Sequence, residues 1–183
     1  WDHHRWQAAA HRMSREAVRS EIMMAHEAIT EAIGRVPTCT AAPGWRCTPE
    51  ILPLRDELGY TYASDCRGHG VFQPQAGPPQ VCVNLPTWDE VVGRDGITDE
   101  NFNDHIRGCM RNDGLDVLTV HAESEGGAKA ALFGSFLDQA IADGINIVPL
   151  RELIPDDIPS GTLKRGEVNG REGWVAVREG KST

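Results

Sequence analysis

The amino-acid sequence predicts an α/β protein built on a mostly parallel sheet, and three observations carry that reading. Short apolar, β-branched runs alternate with longer stretches of helical periodicity between residues 14 and 148. Glycine and proline punctuate the boundaries between them. The apolar run at residues 115–120 stops on His121 and gives way to a polar, glycine-ended loop. Open α/β sheets and α/β barrels place their ligands at such strand ends.

Each element follows in order. Val18, Ile22, Ala25, Ile29 and Ala32 recur at helical spacing in residues 14–33, and Gly34 is a natural stop before Pro37. Residues 39–45 (CTAAPGW) read as a short strand entering a tight turn. Thr48 and Pro49 read as the N-cap and first position of a second helix ending at Gly59, with Pro53 awkward in its interior. Residues 60–64 are strand-like and lead into Asp65-Cys66-Arg67-Gly68. A glycine- and proline-rich loop over residues 68–79 precedes a strand at residues 80–85. Thr98 opens a helix with Asp99 and Glu100 favourable at its N-terminus. Phe102, Ile106 and Cys109 or Met110 form its apolar face, and Gly114 ends it. After the strand at residues 115–120 come a helix at residues 128–143, closed by Gly144, and a strand at residues 145–148. Beyond Pro155 the chain is polar and glycine-rich, with one short strand at residues 174–177.

Composition narrows the class. A chain of 183 residues, 40% of them hydrophobic, can bury one real core. A formal net charge of -9 argues against a generic nucleic-acid surface. Cys39, Cys47, Cys66, Cys82 and Cys109 lack metal-type spacing, so free thiols in a reducing compartment are expected. The opening Trp1-Asp2-His3-His4-Arg5-Trp6 carries neither an initiator methionine nor a signal peptide. The chain is therefore expected to be a portion of a longer protein.

Histidine suits proton transfer near neutral pH, which makes His121 the first candidate acid or base. Alone, a strand-end histidine reads more readily as a packing or capping residue, and Asp65 reads as an ordinary turn aspartate. Trp45 and Trp88 suit core packing and sugar contact equally. Asp89 and Glu90 fit a solvated edge or a sugar-binding loop. Lys164, Arg165 and Arg171 could face an anionic lipid surface. His4, His11, His26, His69 and His105 receive no role.

Six motifs taken together change the weighting. WDHHRWQ at Trp1, CTAAPGWR at Cys39, SDCRG at Ser64, LPTWDEVVGRD at Leu85, HAESEG at His121 and GREGW at Gly170 stand in one order. In content and order they resemble the 4-deoxy-4-formamido-L-arabinose-phosphoundecaprenol deformylase family of the polysaccharide deacetylase (NodB-homology) superfamily. The resemblance implies the C-terminal three-fifths of a deformed (β/α) barrel. Residues 1–155 would form a partial NodB-homology domain lacking its N-terminal strands, and residues 156–183 a polar extension of it. Such a partial barrel is expected to leave strand edges uncovered and to be marginally stable.

The roles that follow are implied by the resemblance alone. His3 matches the second histidine of an HxxxH pair that, with an aspartate, holds a divalent metal (zinc or similar). The other histidine and the aspartate, like the catalytic-base aspartate, would lie upstream of Trp1. On an extended segment His3 would face His121 and Trp45 while His4 faces away. His121 matches the general acid, and Asp65 the carboxylate that orients it and favours its protonated form. The loop holding Trp45 and Arg46 matches an oxyanion-binding wall, with Arg46 or Arg67 in place of the superfamily's usual motif arginine. Trp88 and Asp89 are candidates for substrate contact.

The implied activity is hydrolysis of the formamide on an undecaprenyl-phosphate-linked sugar, at the cytoplasmic face of the bacterial inner membrane. It belongs to the lipid A modification that confers resistance to polymyxin and other cationic peptides. This chain alone is expected to be inactive. The alternative is a truncated or divergent chain that binds a sugar or partner without turning it over.

Overall fold

Three short parallel strands at the centre decide where everything else sits. In the computed structural model, which describes residues 2–111 and 114–179, β1 (Cys39–Thr40) pairs in parallel with β2 (Tyr62–Ala63). The first helix, α1 (His3–Ala9), and the second, α2 (Arg15–Ile33), precede them, and α3 (Leu52–Glu57) connects them. A third strand, β3 (Val71–Phe72), runs antiparallel to β4 (Gln80–Val81), and β4 pairs in parallel with β2. The sheet order is β1-β2-β4-β3. The mixed α/β architecture with a parallel sheet is the one expected from the sequence.

The long helix follows its local chemistry. The Ser14 hydroxyl accepts from the Ala17 amide at 3.2 Å, and Gly34 closes the helix at φ 70°. Val18 and Ile22 enter a core with Trp6, Ala10, Leu54 and Phe72. A second core joins Trp45, Val71, Val81, Val83, Val117 and Val175. The helices α4 (Trp88–Val91), α5 (Asp99–Cys109) and α6 (Ala130–Ala142) build a third around Leu85, Phe102, Ile106 and Phe136. Met110 packs there, whereas Cys109 is exposed. Thr98 caps α5 reciprocally with Asn101, whose side chain accepts from the Thr98 amide at 2.8 Å.

Several expectations are corrected. Residues 3–9 are helical rather than extended, because Asp2 caps them by accepting from the Arg5 amide at 2.9 Å. Trp1 lies outside the described residues. Thr48 and Pro49 do not open a helix. Instead α3 starts at Leu52 with Pro53 in its first turn, where the missing N–H costs nothing. The loop at residues 68–79 contains β3.

Residues 115–120 and 145–148 are extended but join no ladder. The Asn84 side chain, not a neighbouring backbone, takes the Val117 N–H at 2.7 Å, and only the Leu85 amide reaches the Val117 carbonyl. Val120 and Ile147 stay 42% and 54% exposed, so neither run is clamped between two strands.

The C-terminal strand is found one residue later than expected, as β6 (Val175–Arg178). It pairs with β5 (Leu163–Gly166), which the sequence did not disclose. This hairpin is tied to the sheet, since the Arg67 amide donates to the Ala176 carbonyl at 2.8 Å.

Candidate functional site

The segments leaving β1 and β2 converge with α4 and the hairpin on a charged network. After β1, Pro43–Trp45 make a single tight turn in which Trp45 itself takes φ 54°, a left-handed conformation unusual for a bulky residue. The turn drives the Trp45 ring inward until it is 5% exposed. Two guanidinium groups lie over that ring, Arg171 at 4.5 Å and Arg67 at 4.7 Å from its centroid.

Glu90 neutralises both arginines. It accepts from Arg67 at 2.9 and 3.0 Å and from Arg171 at 3.1 Å, and it also caps α4 by taking the Thr87 amide at 3.0 Å. At 2% exposure the Glu90 carboxylate is cut off from water, and these hydrogen bonds offset the cost of burying it. The approach of the GREGW segment is equally specific. A side chain added at Gly170 (φ 84°) would lie 2.0 Å from the Glu90 carbonyl oxygen.

Asp89 links this network to His121. Its carboxylate lies 3.6 Å from Arg171 and 3.9 Å from the His121 ring, and it accepts from the Thr87 hydroxyl at 2.6 Å. Glu125, buried, lies 3.9 Å from the same ring nitrogen and accepts from the His121 amide at 2.7 Å. Glu125 belongs to Ser124–Ala128, a widened helical turn of the kind that recurs at functional sites. His121 is therefore partly solvent-exposed, with two carboxylates each 3.9 Å from its Nδ1.

Asp65 is placed differently from the expectation. It is fully buried and paired with Arg55 at 3.1 Å, and its amide donates to the Gln80 side chain at 3.2 Å. The carboxylates beside His121 are Asp89 and Glu125, so the expected Asp65–His121 pairing is not formed. Arg55, on α3, reaches one oxygen of this carboxylate, and its Oδ2 has no hydrogen-bond partner among the described residues.

Among the remaining candidates, Arg67 is committed to Glu90 and to the Leu85 carbonyl at 3.1 Å. Arg46 is freer. Its guanidinium donates to the Glu172 carbonyl at 2.7 Å and rests 5.2 Å from the Trp174 ring, while its Nε has no hydrogen-bond partner among the described residues. Burial, and then the Arg171 charge, pull its pKa below the ordinary arginine value. Trp88 is half-buried, donates to Asp99 at 2.8 Å and carries Lys129 over its ring at 4.8 Å.

Arg171 faces Trp45 and Glu90, which corrects the expectation of a lipid-facing side chain. Lys164 pairs with Glu179 at 3.8 Å and Arg165 lies 4.7 Å from the Trp174 ring.

His3 is exposed on α1 and lines an open groove of about 450 Å³ with Trp6, Pro43 and Ser64. Neither Trp45 nor His121 lines that groove, and the His4 ring is 6.0 Å from that of His3. On a helix the two neighbours diverge by about 100° instead of facing opposite ways. Among the described residues no group of three His, Cys, Asp or Glu side chains could hold a metal ion. The residues described thus do not by themselves fit the divalent metal that the resemblance implies.

Sequence reasoning missed Glu125, Arg55 and the inward role of Arg171. The Thr87-Trp88-Asp89-Glu90 spacing was readable as a capping box, and the i, i+4 relation of His121 and Glu125 was visible in HAESEG. Nothing local marks Arg171, whose partners lie some eighty residues earlier.

No family model matches the chain. Two proteins are similar to it along nearly its whole length. One, from Shewanella sediminis (strain HAW-EB3), is 41% identical over 180 residues, covering 96% of this chain and 59% of that protein. The other, from Wigglesworthia glossinidia brevipalpis, is 34% identical over 189 aligned residues, covering 98% of this chain and 66% of that protein. Each bears the name probable 4-deoxy-4-formamido-L-arabinose-phosphoundecaprenol deformylase ArnD. The chain therefore spans about three-fifths to two-thirds of the length of these relatives.

Proposed function

We propose, from the premise that this chain is homologous to proteins named ArnD deformylases, that it carries the proton-donating half of an amide hydrolase. The substrate would be the formamide of an undecaprenyl-phosphate-linked 4-deoxy-4-formamido-L-arabinose, and the context lipid A modification and polymyxin resistance. The supporting observation is the coincidence of homology and geometry. The HAESEG motif places His121 between Asp89 and Glu125, beside the Arg67–Glu90–Arg171 network.

In deformylation the formyl C–N bond breaks and a C–O bond to water forms, releasing formate and a free sugar amine. His121 is assigned the proton given to the departing nitrogen. Glu125 holds the backbone at His121, and Asp89 lies at the same ring nitrogen. Arg46, with an unpartnered Nε, is assigned the contact to the developing oxyanion in preference to Arg67, which Glu90 already occupies. Trp45 acts as the wall against which Arg67 and Arg171 are stacked. Asp65 is assigned to holding the β2 end through Arg55. No step is routed through a metal, since the described residues do not complete a site around His3.

The same reading places the protein in a NodB-type barrel and at the inner-membrane surface on the cytoplasmic side, where a polyprenyl-phosphate substrate is met. Among the described residues no helix is long and apolar enough to cross a membrane.

A second reading, a sugar- or partner-binding chain without turnover, is favoured by the missing ligand cluster. One experiment separates the two. This chain replaces the matching region of the Shewanella protein, and formate release is measured from the lipid-linked formamido sugar. The expected result is turnover that falls about 10²–10⁴-fold with His121→Ala. A folded chimera that binds the substrate but releases no formate overturns the hydrolase reading.

A further inference from the structure

Trp174, which ends the GREGW motif, is half-buried and surrounded by positive charge from three separate stretches of chain. Arg46 lies 5.2 Å and Arg165, on β5, 4.7 Å from its ring centroid. The His11 ring stands edge-on to it at 5.7 Å, in the tight turn Ala10–Arg12 that follows α1. Gly173 (φ 70°) leaves room for this packing, since a side chain there would come within 2.9 Å of the Arg46 guanidinium. The charge is not answered by the protein. Lys164 and Arg171 have carboxylate partners, whereas Arg12, Arg46 and Arg165 form no ion pair among the described residues, in a chain of net charge -9. His11 Nδ1 and Arg46 Nε are buried without a hydrogen-bond partner among the described residues. Burial, and then the charges of Arg12, Arg165 and Arg46, pull the His11 pKa below its ordinary value of 6.5.

We propose that the Trp174 cluster is the seat of the phosphate of a glycosyl phosphate, held by the exposed guanidinium groups of Arg12 and Arg165. The planar fork of an arginine suits phosphate oxygens, and two unpaired arginines around one indole supply both charge and a wall. Arg46 stands between this seat and the reaction. The Arg171 charge, which belongs to the Glu90 network, acts on it from one side, and it packs on Trp174 at the other. Its Nε stays with the oxyanion assigned above. A formamido sugar joined to phosphate at its anomeric carbon has a single ring between the two groups, so two seats that share Arg46 suit one substrate. The proposal rests on the deformylase reading for the identity of the sugar, and on the unanswered charge for the phosphate.

The test titrates the complete 183-residue chain with L-arabinose 1-phosphate, which has no formamide, with inorganic phosphate, and with vesicles containing phosphatidylglycerol. The His11 ring and the arginine Nε–H groups are followed by NMR. The expected result is saturable binding of the sugar phosphate, at least tenfold tighter than inorganic phosphate. The His11 ring should also titrate at higher pH in the complex, because a nearby anion favours its charged form. Arg12→Gln and Arg165→Gln, both at exposed positions, should each weaken binding at least tenfold with the circular dichroism unchanged. Arg35→Gln, an exposed arginine outside the cluster, should leave binding as it was. Absence of saturable binding overturns the proposal, as does an equal loss with Arg35→Gln. So does inorganic phosphate bound as tightly as the ester, which would make a free anion the ligand. Binding to vesicles without binding to the sugar phosphate also overturns it, and would make this face a membrane contact. The probe has no amide to cleave, so a failed titration and a failed deformylase assay remain distinct results.

Discussion

Asp65 was expected beside His121 and is found ion-paired with Arg55 instead. Its motif points to the reaction, but its surroundings are those of a buried ion pair, with Arg55 3% exposed and Asp65 fully covered. Removing one partner strands the other charge away from water. Asp65→Ala is therefore expected to cost about 3–5 kcal/mol of stability, read as a lowered urea midpoint. A variant as stable as the parent would return Asp65 to a purely catalytic role. Gly170 offers a sharper case, because a methyl group there meets backbone rather than a movable side chain. Gly170→Ala should destabilise by about 1–3 kcal/mol and loosen the Glu90 cap, seen as faster amide exchange at Thr87.

The helices were largely legible from the sequence, because their signals are local. Ser14 and Gly34 bound α2, and Thr98 opens α5, without reference to anything distant. The strands were legible as extended, apolar chain but not as ladders, since a ladder depends on its neighbour. Residues 115–120 have the composition of a buried strand, yet Asn84 diverts the Val117 amide. Of the site, His121, Trp45, Arg67 and Asp89 were named from motifs and are brought together, whereas Arg171 and Glu125 depend on long-range or loop geometry that periodicity cannot reveal.

At this scale α5 and α6 make a pH-dependent joint. The Lys129 ammonium, then the Trp88 indole, hold the Asp99 carboxyl below its ordinary value of 3.8. A depressed carboxylate contributes stability that is fully present above the unfolded value and is lost as pH falls through the folded one. The stability gap between the parent and Asp99→Asn should therefore be open at neutral pH and close as pH falls through and below the ordinary carboxylate range, measured by denaturation at each pH.

For the whole molecule, the donor set and the tertiary ties give separate expectations. With His3 and His4 exposed on one helix and no three-ligand cluster among the described residues, the isolated chain should retain no stoichiometric zinc after dialysis. One equivalent resisting dialysis, and lost with His3→Ala, would show that the chain holds the metal unaided.

The hairpin has a different consequence. Arg67, which faces Trp45 and Glu90, is anchored through its amide to the carbonyl of Ala176, and Arg171 belongs to the segment just before β6. During synthesis on the ribosome, Arg67 emerges well before Ala176 and must wait for it before its anchor exists. Until then, two guanidinium groups and a buried carboxylate cannot settle into their network. The nascent chain therefore passes through an interval in which its helices can form but its site cannot, and in that interval the apolar Trp45 ring is left uncovered.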